Sequence, residues 1–70
     1  MNLSIAQIQQ LLEAGGLSWG AESVDHKDGR YWTFRCWRHD PGRFFAMAKS
    51  TISVQEAARE VYEQAKAVLQ

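Results

Sequence analysis

Two histidines, His26 and His39, and one cysteine, Cys36, are the side chains of this 70-residue chain that first invite a chemical reading, together with the carboxylates Glu22 and Asp25. Acid–base or nucleophilic catalysis needs a base within hydrogen-bond reach of a nucleophile and a third group to orient it. His26 falls at an expected turn and His39 beside a second one, and no such set can be assembled around either. Cys36 stands in mid-strand between aromatic residues, the setting of a small apolar core residue rather than of a reactive thiol. A single cysteine excludes an internal disulfide, and no Cys/His spacing matches a structural zinc site. Gly15-Gly16 follows a helix rather than a strand, so it is not a phosphate cradle. The expectation is a protein that is not an enzyme, with no catalytic residues, no metal and no cofactor.

Contact chemistry is better represented. Arg30-Tyr-Trp-Thr-Phe-Arg-Cys-Trp-Arg-His-Asp40 reads as a strand with aromatic residues on both faces. Side chains alternate along a strand, so Trp32, Phe34 and Cys36 share one face, while Tyr31, Thr33, Arg35 and Trp37 share the other. A short domain can cover only one of them. The other must meet water or a partner, and tryptophan, tyrosine and arginine are the types enriched where interfaces bind.

The elements that position this strand follow from capping and periodicity. Ser4-x-x-Gln7 is a capping box, and Leu3 and Ile8 stand where a hydrophobic staple would. Ile5, Ile8, Leu11 and Leu12 recur at helical spacing, and Gly15-Gly16 supplies a stop, so a helix is expected over about Ser4 to Ala14. Ser53-x-x-Glu56 repeats the capping logic. Val54, Ala57, Ala58, Val61, Ala65, Val68 and Leu69 then form an apolar stripe, giving a second helix over about Val54 to Leu69. The charges Glu56, Arg59, Glu60, Glu63 and Lys66 fall mostly on its solvated side.

Between the helices the sequence reads as three strands. Lys27-Asp28-Gly29 has the composition of a three-residue hairpin loop that pairs His26 with Arg30. Counting outward, Val24 faces Trp32, Ser23 faces Thr33, Ala21 faces Arg35 and Trp19 faces Trp37. Asp40-Pro41-Gly42 marks a second turn whose length the sequence leaves open, because a one-residue slip flips the third strand. Either Phe45 and Met47, or Phe44 with Ala46 and Ala48, join the covered face. The expected architecture is α+β in the order α-β-β-β-α, one domain over residues 1–70, a three-stranded antiparallel meander with two helices packed on one face. The covered set is Trp32, Phe34, Cys36 and Val24. Trp19, Tyr31, Thr33, Arg35 and Trp37 stay open.

Charge limits the classes of partner. The chain is neutral overall, with eight basic and eight acidic residues and a pI near 6.7, so no global field attracts nucleic acid or an anionic membrane. Its middle is basic: Lys27 to Lys49 holds six basic residues and two acidic ones, a local net charge of +4. No segment reads as a signal peptide or a membrane span, so a cytoplasmic protein without membrane association is expected.

Element order and length resemble the double-stranded RNA-binding domain, and Ser53-Val54-Gln55-Glu56-Ala57-Ala58 looks like the start of that family's second helix. The resemblance implies lysines that touch phosphates, but the corresponding positions here are Val54, Gln55 and Ala58. Nucleic-acid binding is therefore the alternative reading, with Trp19, Tyr31 and Trp37 stacking bases and Arg35, Arg38, Arg43 and Lys27 neutralising phosphates.

The preferred reading is a protein-binding module. A complete small chain with its own start methionine and surplus aromatic and arginine surface resembles in type the inhibitors and adaptors of phages and mobile elements, anti-CRISPR proteins among them. The sheet face would dock on a host protein or ribonucleoprotein complex. Trp19 and Trp37 would serve as anchors beside Tyr31, Arg35 as a bidentate contact, and Lys27, Arg38 and Arg43 as orienting charges. A homodimer through the same face is a second way to cover it.

Overall fold

The computed structural model describes residues 3–40 and 42–69. Ser4 caps helix α1 (Ile5–Ala14) as the capping box requires: the Gln7 N–H donates to Ser4 Oγ at 3.2 Å, and the Ser4 N–H donates to Gln7 Oε1 at 2.8 Å. The helix ends in a Schellman turn. Gly16 takes a left-handed φ of 80°, the Leu17 N–H donates to the Leu12 carbonyl at 2.9 Å, and the Gly16 N–H donates to that of Glu13 at 3.0 Å. Leu12 and Leu17 are both buried, which supplies the apolar contact that accompanies this motif. Helix α2 (Val54–Leu69) starts where Ser53 Oγ accepts the Glu56 N–H at 3.2 Å. The two helices run close to the bounds expected from the sequence.

Strands β1 (Ser18–His26), β2 (Gly29–Arg38) and β3 (Phe44–Ser50) form an antiparallel meander in the order β1-β2-β3. Both helices lie on one face of it, α2 over β3 and β2, and α1 beside α2 against β1. The core between them holds Ile8, Leu12, Phe34, Cys36 and Val61 without exposed surface. Ala46 and Ala48 on β3 and Ala57, Ala58 and Ala65 on α2 complete it, and their small side chains let the helix sit close to the strands. Phe44, Ala46 and Ala48 therefore take the covered face of β3, which the sequence left open, and Phe45 and Met47 take the other.

The first hairpin corrects the expected register. His26 pairs with Gly29 rather than with Arg30, so the loop is the two residues Lys27 and Asp28, and Gly29 already belongs to the ladder. Among the described residues positive φ is confined to glycine, with Gly29 at 136°. Lys27 and Asp28 thus do not form a primed turn, and the conformation that the chain reversal demands falls on the glycine after them. Removing one residue from the loop flips every side chain of β1. Trp19 pairs with Cys36 instead of Trp37, Ala21 with Phe34 instead of Arg35, Ser23 with Trp32 instead of Thr33, and Val24 with Tyr31 instead of Trp32. Trp19 therefore lies on the helix-covered face and Val24 on the open one, the reverse of the expectation for both.

The packing explains why this register holds. Trp19 stacks on Phe34 with ring centroids 5.8 Å apart and planes 6° from parallel. Its indole Nε1–H donates to Glu13 Oε2 at 2.9 Å, which ties β1 to α1. The alternative register would take Trp19 off Phe34 and turn Glu22 toward the helices, where a carboxylate without a partner is costly.

Trp19→Ala is accordingly expected to lose about 2–3 kcal/mol of stability, and Trp37→Ala about 1 kcal/mol or less, in paired denaturant titrations. Equal losses, or a larger one for Trp37, would contradict this assignment of faces.

Candidate functional site

The parity of β2 and the register on either side place the open-face side chains in rows. Ser18, Trp37 and Phe45 form one row, Gly20, Arg35 and Met47 the next, then Glu22, Thr33 and Lys49, and Val24 with Tyr31. Residues opposed across antiparallel strands share a face and lie within side-chain reach. A continuous strip results, with aromatic and thioether side chains toward the β2–β3 turn and cations along its length.

Each cation on the strip is paired with a ring. Arg35 lies over Trp37 with its guanidinium carbon 5.8 Å from the ring centroid, and Lys49 Nζ lies 5.3 Å from that of Tyr31. Gly20 lies opposite the first of these, and a Cβ there would stand 3.4 Å from the Arg35 guanidinium, in van der Waals contact with it. Arg35 also comes within 3.9 Å of Glu22, an exposed pair of slight energetic weight. Between the two cation–ring pairs, Thr33 Oγ1 is buried and has no hydrogen-bond partner. The apolar members are less shielded: Phe45 is 64% and Met47 53% exposed.

The structure gathers the expected contact residues only in part. Tyr31, Arg35 and Trp37 share the open face. Trp19 is on the covered face, half-buried and bonded to Glu13. Lys27 is at the tip of the first hairpin, and Arg43 lies beyond the other end of β2, about 30 Å away at ~3.3 Å per residue. Arg38 points to the helix side, where Nε donates to the Gly42 carbonyl at 3.2 Å and Nη1 to that of Val68 at 3.5 Å. The latter is a C-terminal carbonyl of α2, so Arg38 also complements the helix dipole. Arg43 remains exposed and lines a groove with Arg35, Trp37, His39, Phe44 and Phe45.

Phe45, Met47 and Lys49 belong to this face and were not among the expected contact residues. Lys49 carried the signal: a lysine cannot sit under two helices unpaired, and its parity is that of Met47 and Phe45. Glu22 held the same information for β1.

Among the described residues the two histidines and Cys36 lie apart from one another. His26 Nδ1 accepts the Asp28 N–H at 3.4 Å and lies 3.7 Å from Asp28 Oδ2, while His39 is exposed beyond the opposite end of β2. Cys36 has no exposed surface, and burial pushes its thiol pKa up, away from the reactive thiolate. The hydrogen bond and charge of Arg30, whose Nε donates to Asp25 Oδ1 at 2.7 Å, hold the Asp25 carboxyl below its ordinary range. Among the described residues no group of three or more His, Cys, Asp or Glu could hold a metal ion, and no helix is long and apolar enough to cross a membrane. Comparison with known proteins adds no assignment, since no family model, curated protein or solved structure matches the chain.

Two chemical readouts follow from this geometry. Cys36 should resist a thiol-modifying reagent in the native protein and react fully in denaturant; rapid native modification would mean that the site is open. Arg30→Ala should return the Asp25 titration, followed by carboxyl NMR, upward to the ordinary range. The depressed folded pKa means that the pair's contribution is present above the ordinary Asp range and disappears as pH falls through the folded value. An unchanged midpoint would show that the ion pair does not form in solution.

Proposed function

We propose that the chain is a small, non-enzymatic binding module that docks on a protein partner through the open sheet face. The observation that carries this reading is the exposure of Phe45 and Met47 beside Trp37, on the one face that the helices leave bare. Adjacent exposed apolar side chains rimmed by charge are what a protein interface presents, and methionine adapts to irregular partner surfaces. Such a face suits an inhibitor or adaptor of a larger protein or ribonucleoprotein complex, a role that phage-encoded proteins of the anti-CRISPR type fill.

The cation–ring pairs favour protein over nucleic acid. A base-stacking platform needs free ring faces, yet Arg35 occupies one face of Trp37 and Lys49 one face of Tyr31. Glu22 in the middle of the strip opposes a phosphate chain. Self-pairing is disfavoured by the same charges, because each strip carries two cations, Arg35 and Lys49, against the single carboxylate Glu22, and an isologous contact would bring both surpluses together.

A photo-crosslinking residue in place of Met47, compared with one in place of Gln64 on the exposed side of α2, tests the docking face. The expected outcome is a protein adduct from position 47 alone that Phe45→Ala reduces at least tenfold, with the melting temperature unchanged within a few degrees. Adducts dominated by nucleic acid, or equal yields from both positions, would refute the reading.

A further inference from the structure

The groove at the β2–β3 end of the sheet has a more definite chemistry than the rest of the strip. It spans about 580 Å³ and is open to solvent; Trp37 and Phe45 wall it from the open face and Phe44 from the helix side, and its rim carries Arg35, Arg43 and His39. No carboxylate lines it among the described residues. Arg38 also borders it, but its guanidinium is engaged by the Gly42 and Val68 carbonyls, so it supplies a fixed wall rather than a free donor. Arg43 is exposed, and Arg35 has only the 3.9 Å contact with Glu22 as a competing ion pair.

We propose that this groove receives one bulky apolar side chain from an extended acidic segment of a partner protein, with neighbouring carboxylates meeting Arg43 and Arg35. The proposal rests on the protein-docking reading and identifies what enters the face. Charge complementarity selects the acidic segment, because the lining holds the guanidinium groups of Arg35 and Arg43 and, among the described residues, no carboxylate, and planar guanidinium groups recognise carboxylates in fixed, bidentate geometry. Shape suits an extended segment: β2 runs about 30 Å between strands about 4.8 Å apart, so a single strand-like chain can lie along the strip and set its anchor in the groove. Phosphate could satisfy the arginines but would leave the Phe44, Phe45 and Trp37 walls without an apolar occupant.

The experiment is an NMR titration of the isotopically labelled full chain. The probe is a short peptide with a central phenylalanine flanked on both sides by glutamates. Its controls carry alanine for the phenylalanine or lysines for the glutamates, and an oligothymidylate serves as the nucleic-acid arm. The glutamate-flanked phenylalanine peptide should shift the Trp37 indole and the Phe45 and Arg43 amides while leaving Lys27 and Asp28 at the hairpin tip unmoved. Each control peptide should bind at least tenfold more weakly. Arg43→Glu should remove binding with the spectrum otherwise intact, and Arg43→Lys should retain part of it.

Equal binding of the lysine-flanked peptide, or shifts centred on the hairpin tip, would overturn the proposal. Displacement of the groove resonances by oligothymidylate but not by the peptide would assign the site to nucleic acid and overturn it as well. Absence of any groove response while the position-47 crosslink to protein persists would overturn the groove proposal alone. Loss of both would remove the docking reading with it.

Discussion

Phe34 has no exposed surface and stands in the central strand, with Ala21 opposite it on one side and Ala48 on the other. An aromatic ring flanked by two methyl groups leaves space above the sheet, and Ile8, Leu12 and Val61 from the helices share the core with it. Every other choice in the fold follows from keeping that ring dry. Its parity decides that Trp32 and Cys36 face the helices and that Arg35 and Trp37 do not. Trp19, stacked on the ring from β1, covers the ring on the side where α1 lies against the sheet. A chain this short buries only ~60% of the surface its unfolded form exposes, so no second core is available for the opposite face.

That opposite face is consequently built on different rules. Large side chains remain there, but each cation lies against an aromatic ring, so part of the apolar surface is covered by a charged group that keeps its own water. Gly20 stands across from Arg35 in the same row, and the guanidinium that reaches Trp37 lies close to that bare backbone. The result is a face with uneven cover: Tyr31 and Trp37 are partly shielded, and Phe45 and Met47 are not.

The helices were legible because their signals are local. A capping box, a glycine pair and an apolar stripe each act within one or two turns, and Ser4, Gly16 and the Ala57–Ala65 stripe behave as their spacing requires. The face of β2 was legible for a similar reason, since burying Phe34 and Cys36 excludes burying Arg35. Registers were not, because they depend on a turn conformation that composition underdetermines. Lys27-Asp28-Gly29 fits both a three-residue loop with the glycine inside and a two-residue loop with the glycine as the first paired residue. The two differ by one position, and one position exchanged Trp19 for Val24 between faces. Arg38 was unreadable as a helix-terminus partner because Val68, whose carbonyl it meets, lies 30 residues further along the chain.

The distribution of charge also bears on how the exposed strip and the sheet edges would meet another chain. Both outer strands have unpaired edges, which are templates for adding a further strand. β1 carries Glu22 and Asp25 and β3 carries Lys49, so each edge holds charge, and Asp25 is already engaged by Arg30 at the hairpin. Two copies of the strip would bring the same surplus together, since each carries Arg35 and Lys49 against Glu22 alone, whereas a segment that supplies carboxylates would meet those cations with opposite sign. The cations that weigh against self-pairing are thus the ones that would attract an acidic segment.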